Sequence, residues 1–171
     1  MKFRRRDQPP GSGPSERAAE NPYLGLRRQF LTLGPEHVAG PIRGVALELG
    51  MAGGVATIVC VADGTTSFYT STGGGYLGMG RHEGVRKANA AFLAVAAQHL
   101  TELTPVDDVP LPPQGEVNVV AVTADGLRLL RCTETEARRP AAAAHPFYVA
   151  GQDVVTQMRL VSEARSGPSG S

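Results

Sequence analysis

The chain has no apolar run near the roughly 18 to 20 residues a membrane-spanning helix needs, so no segment reads as a membrane anchor. Met1 to Arg6 are cationic, but a Gln-Pro-Pro-Gly-Ser-Gly stretch follows where a secretory signal would place an apolar core. A cytoplasmic protein is expected. Cysteine is scarce: Cys60 and Cys132 are the only two. Both fall inside expected strands, far from a helix start or cationic cluster that would favour the thiolate, so they read as reduced core thiols. An excess of one charge is also missing. Lys and Arg total 17 against 16 Asp and Glu, and residues 1–20 hold five of those cations against three anions. The remainder is nearly neutral and ill suited to neutralising a row of phosphates, which argues against a dedicated nucleic-acid binder.

Recognisable catalytic patterns are lacking too. The four histidines and two cysteines show no metal-ligand spacing, so no metal is expected. There is no G-x-S-x-G nucleophile motif. Asp63 and Asp125 are explained by turns, and Asp107 and Asp108 by an exposed connection. No set of residues meets the geometric requirements of a catalytic site, and neither enzyme activity nor a cofactor is expected.

What is present suits one compact domain. The length of 171 residues supports one hydrophobic core, and the 42% hydrophobic content is diluted by the ends. Residues 1–20 are Pro, Gly, Ser and charge with no large apolar side chain after Phe3, so they are expected to be a disordered basic arm. Residues 21–164 form the domain, and 165–171 a flexible tail.

Asn21-Pro22 is a helix start, with Asn as cap and Pro in the first turn. Tyr23, Leu24, Leu26, Phe30, Leu31 and Leu33 form its apolar stripe, leaving Arg27 and Arg28 outside. Residues 44–50 read as a strand. Residues 55–62 and 65–71 form a hairpin on Asp63-Gly64. With a two-residue turn, Val61 faces Thr66 and Val59 faces Phe68. One face then carries Val55, Val59, Val61 and Phe68, and the other Ala56, Ile58, Cys60 and Tyr69. An alanine-rich helix spans 81–103, with Val85, Ala88, Phe92, Val95, His99 and Leu103 at helical spacing. A proline-rich acidic connection leads to a second hairpin, 117–124 and 127–132, on Asp125-Gly126. Residues 133–144 read as a loop and 151–163 as a last helix. The expected fold is α+β: a two-layer sandwich with a five-stranded antiparallel sheet, in the order helix, three strands, helix, two strands, helix.

That order is similar to profilin-like and roadblock-like regulatory domains. Residues 62–80 and 147–160 resemble a group of uncharacterised bacterial proteins. The resemblance implies this fold class and carries no activity with it.

The segment 72–80 holds five glycines in nine residues and runs into the long helix. Gly73 to Gly78 formally fits G-x-G-x-x-G, but a dinucleotide site needs a parallel βαβ unit, and hairpins flank this segment on both sides. Two uses remain open. In the first, the glycines make a tight crossover and Tyr76, Leu77 and Met79 anchor a contact with a protein partner or a second copy of the chain. This fits a non-enzymatic, self-associating interaction domain. In the second, Gly73, Gly74, Gly75, Gly78 and Gly80, with Arg81 and His82 at the helix start, bind a small phosphate or carboxylate. A third use, an acid–base pair of His82 and Glu83 in an enzyme, is disfavoured because adjacent helix residues do not face each other.

Overall fold

The computed structural model describes residues 21–167. The expected basic arm, 1–20, and residues 168–171 of the expected tail lie outside the described residues. The architecture is α+β with one antiparallel sheet. In chain order the elements are α1 (Pro22–Leu31), β1 (Ile42–Met51), β2 (Gly54–Val61), β3 (Thr66–Thr70), β4 (Gly75–Tyr76), α2 (Glu83–Gln98), β5 (Thr104–Val106), β6 (Glu116–Thr123), β7 (Gly126–Thr133), α3 (Glu134–Ala137) and α4 (His145–Arg165). One-turn 3₁₀ helices, Met79–Arg81 and Leu100–Glu102, flank α2.

The strands lie in the order β4-β3-β2-β1-β6-β7-β5. Seven strands replace the expected five because the glycine segment contributes β4 and the proline-rich connection β5. Both sit at edges and are too short to show an alternating pattern. Short edges, with Pro105 on β5 opposite Arg128, are a common protection against edge-to-edge pairing. The helices also number four rather than three. Glu136 reciprocates the Thr133 cap in a capping box, which turns the start of the expected loop into α3. The last helix begins earlier than expected, at His145-Pro146, with Pro in its first turn. No helix among the described residues is long and apolar enough to cross a membrane.

The sheet is covered on both faces, which corrects the two-layer expectation. On one face α2 and α4 pack against Val45, Leu47, Ile58, Cys60, Val117 and Val119. Gly151 lets α4 approach β1 closely, since a Cβ there would meet the Leu47 side chain. On the other face, α1 and the connection 107–115 (the strap, below) cover Ala46, Val55, Val59, Val61, Val120 and Val122. Gly50 admits the strap: a Cβ at this position would run into the Pro113 carbonyl.

The first hairpin differs from the expected one by a single residue. Val61 N–H donates to the Thr65 carbonyl, Gly64 N–H donates to Val61, and Gly64 adopts φ +95°. The loop is therefore the three residues 62–64, with glycine at the left-handed position. Ile58 pairs with Phe68, and Thr57 with Tyr69. A one-residue slip exchanges the two faces of a strand. Phe68 thus joins the α2 side and Tyr69 the α1 side, the reverse of the expected assignment.

Across the centre of the α1 face, one polar rung interrupts the apolar surface. Tyr69 pairs with Thr57, Thr57 with Glu48, and Glu48 with Asn118 in register across β3, β2, β1 and β6. Glu48 is 1% exposed. Arg27 of α1 meets its carboxylate in two bonds, Nε to Oε1 at 2.6 Å and Nη2 to Oε2 at 3.0 Å. Arg27 was expected outside the helix stripe. It lies inside because the sheet presents a carboxylate where an apolar residue would otherwise sit, and Leu24 turns outward instead, 41% exposed.

Candidate functional site

The glycine segment folds as an extension of the sheet. Thr70 begins the turn: its N–H donates to the Gly74 carbonyl, its hydroxyl donates to the Gly73 carbonyl at 2.6 Å, and its carbonyl accepts from Gly73 N–H. Gly75 then pairs with Tyr69, and Tyr76 with Phe68. Gly75 has φ +141°, and a Cβ there would collide with the Phe68 carbonyl, so the pairing needs glycine. Gly78 turns the chain in the left-handed region (φ +63°), and its N–H donates to the Ser67 hydroxyl. Gly80 packs so closely on the Asp63-Gly64 turn that a Cβ would strike the Gly64 carbonyl.

The strand pairing divides the residues expected to hold an anion. Gly73, Gly74 and Gly75 lie at one end of β3, next to Asn21, whose Nδ2 donates to the Ser71 carbonyl at 3.3 Å. Gly78, Gly80 and Arg81 lie at the other end. They line an open concavity of about 350 Å³ with Asp63, Gly64, Thr65 and Arg86. His82 points elsewhere, and its Nε2 is 2.9 Å from Nη2 of Arg165 at the end of α4. His82 caps α2 without a side-chain bond to the helix.

The three expected interface residues also separate. Tyr76 leans on Phe68 with ring centroids 6.2 Å apart, on the α2 side. Met79 is buried in the core beneath α2. Leu77 turns to the opposite face and is 58% exposed. Beside it runs a groove between α1 and the β3–β4 hairpin, made of two adjoining cavities of about 300 and 190 Å³ that share Leu26, Tyr69 and Leu77. Val59 and Val61 floor it, and Phe30 and Leu33 line its α1 side. Gly73 to Gly75 close one end, and Asp63 and Thr65 the other. The combined space is in the range of small binding clefts. No residue pattern marks this groove, because it forms only when α1 covers part of a face as wide as this sheet.

The Tyr69 hydroxyl, which lines the groove, is buried without a hydrogen-bond partner, as is Asn118 Oδ1 at the far end of the same rung. Burial pushes the Tyr69 phenol well above its usual range, with Tyr23 and Glu48 adding to it. Tyr23, edge-on to Tyr69 at 5.5 Å, bonds the Thr57 hydroxyl at 2.9 Å. Burial opposes the Arg27 charge, but the bonds and attraction of Glu48 outweigh it, so this guanidinium holds its proton more tightly than usual. Burial also pushes the Cys60 and Cys132 thiols up, away from the thiolate. Among the described residues no group of three or more His, Cys, Asp or Glu side chains is placed to hold a metal ion.

No family model, no curated protein and no solved structure matches the chain.

The His82 contact gives a pH-dependent signature. Desolvation, then the charges of Arg165 and Arg81, lower the imidazole below its usual 6.5. The neutral form that accepts from Arg165 is therefore present above about pH 6.5 and lost as pH falls through the depressed value. Titration of His82 by NMR should show a midpoint below 6.5 that rises when Arg165 is changed to Ala. An unchanged midpoint would show that the contact does not form in solution.

Proposed function

We propose that this chain is a non-enzymatic cytoplasmic interaction domain that self-associates through the groove between α1 and the β3–β4 hairpin. The observation that carries the reading is Leu77. A large apolar side chain more than half exposed stands on the rim of an apolar groove floored by Val59, Val61 and Tyr69. Exposed apolar surface continuous with a cleft is a common feature of contact sites. The short edge strands favour a face-to-face contact over strand addition. Light scattering on the purified chain should then give a dimer or larger species. Leu77→Arg should reduce it to a monomer with unchanged circular dichroism and thermal midpoint. A wild-type chain that stays monomeric at high micromolar concentration, with no partner lost on Leu77→Arg, would end the reading.

A second reading takes the concavity at Gly78, Gly80, Arg81 and Arg86 as a site for a small phosphate or carboxylate. Arg81 and Arg86 supply two cations to its lining, although Asp63 also lines it and opposes an anion. A ligand at about 100-fold over its dissociation constant would add about 2.7 kcal/mol to stability. A thermal-shift screen with inorganic phosphate, nucleotides and small carboxylic acids should give a stabilising hit that disappears with Arg81→Ala. A hit that survives this substitution, or none at all, removes the site.

A further inference from the structure

The cover on the α1 face is made of two segments more than seventy residues apart in sequence, and both meet at one buried site, the strap being tied again at its end by the Gly115 N–H to the Gly50 carbonyl. Arg27 Nη2 bonds the Glu48 carboxylate and also donates to the Val109 carbonyl of the strap at 2.8 Å. Asn118 Nδ2 donates to Glu48 Oε2 at 3.1 Å and to the Pro110 carbonyl at 2.8 Å. Val109 itself is 2% exposed and belongs to the same apolar cluster as Tyr23 and Phe30. The helix and the strap therefore share a single buried carboxylate. Beyond it, α1 is held by the buried Tyr23–Thr57 bond beside Glu48, by the core side chains of Tyr23 and Phe30, and by outer ties from Asn21 to Ser71 at its start and from Arg43 to the Leu33 carbonyl past its end.

Open concavities flank α1 on both sides. The groove described above runs along one flank. A second cavity of about 360 Å³, lined by Leu24, Arg27, Leu31, Asp108, Val109 and Leu127 among others, opens on the other. By contrast, α2 and α4 bury Val85, Phe92, Phe147, Val154 and Met158 completely in the opposite core.

We infer that α1 and the strap are one cooperative cover, locked by Arg27–Glu48, that opens as a unit while the sheet and the α2/α4 layer stay folded. The shared lock is the reason for cooperativity. If α1 lifts, Arg27 leaves both Glu48 and the Val109 carbonyl, and the strap loses a bond at the same moment. If the strap lifts, Arg27 and Asn118 each lose a partner, and Glu48 is held less firmly. With α1 lifted beneath a closed strap the buried carboxylate loses its cation, and with the strap lifted beside a closed α1 the Arg27 and Asn118 donors lose acceptors, so each half-open state is disfavoured relative to both closed and fully open cover. Opening uncovers the apolar band Val55, Val59, Val61, Val120 and Val122, a much larger surface than the groove alone. This inference does not depend on the proposed function.

The test uses the full chain and three reporters of opening. Backbone amide exchange at residues 26–31 reports α1. Thiol labelling of Val109→Cys, in a chain also carrying Cys132→Ser, reports the strap. Labelling of Cys60, buried beneath α2, reports global unfolding. With Glu48 intact, α1 and the strap should show the same opening equilibrium, at least tenfold larger than that for Cys60. Glu48→Gln should raise both by the same factor, at least tenfold, and leave them ahead of Cys60. Unequal openings of helix and strap, or openings no larger than that of Cys60, would overturn the inference. If Glu48→Gln does not fold, the comparison with Glu48 intact decides alone.

Discussion

A carboxylate in the middle of the central strand is the constraint around which the α1 side of this fold is arranged. Glu48 stands between Leu47 and Leu49 on β1, flanked in register by Thr57 and Asn118. At 1% exposure it cannot be hydrated, and an isolated buried charge would be prohibitive. It is kept by a two-point contact with Arg27 and a bond from Asn118. Buried ion pairs of this kind often stabilise no better than an apolar replacement of the same volume. Their effect here is read as positional. The fork geometry of Arg27 fixes the rotation and height of α1, and the second N–H of its Nη2 reaches the strap at the Val109 carbonyl.

The placement of α1 in turn creates the groove. A sheet of seven strands at about 4.8 Å spacing is far wider than one helix of about 10 Å. With α1 locked over the middle strands and the strap on the β6 side, the area over β2 and β3 is left as a trench. The glycine segment borders that trench. Its turns and close approaches serve the β3–β4 pairing and the packing of Gly80 on the Asp63-Gly64 turn. Two anchors, Tyr76 and Met79, hold it to the core, and Leu77 is free to face outward.

Much of this was legible in the residues. Asn21-Pro22 marked the start of α1, both Asp-Gly sites marked hairpins, and the Val85, Ala88, Phe92 spacing marked the buried face of α2. The rest was hidden for specific physical reasons. Gly64 adds one residue to the first turn, and that single residue reverses the faces of Phe68 and Tyr69. β4 has two residues and β5 three, too few for any periodic signal. Arg27 was placed outside because a helix stripe counts charges as outward. That rule fails when the opposing surface carries the complementary charge. The sign of it was present: Glu48, Thr57 and Asn118 each stand between apolar neighbours within a largely apolar strand. The residues of the glycine segment were all visible, but not their division, which follows from a strand pairing too short to anticipate.

The most direct test of the account is a double-mutant cycle on Arg27 and Glu48, each replaced by Met and then both together, with stability measured by urea unfolding. If the pair is the lock, each single change should cost about 3–5 kcal/mol, because it leaves one buried charge uncompensated. The double change should cost far less than their sum, giving a coupling energy of at least about 2 kcal/mol. Effects that add to within about 0.5 kcal/mol would mean the two residues act independently, and the ion pair could not be the interaction that positions the helix and the strap.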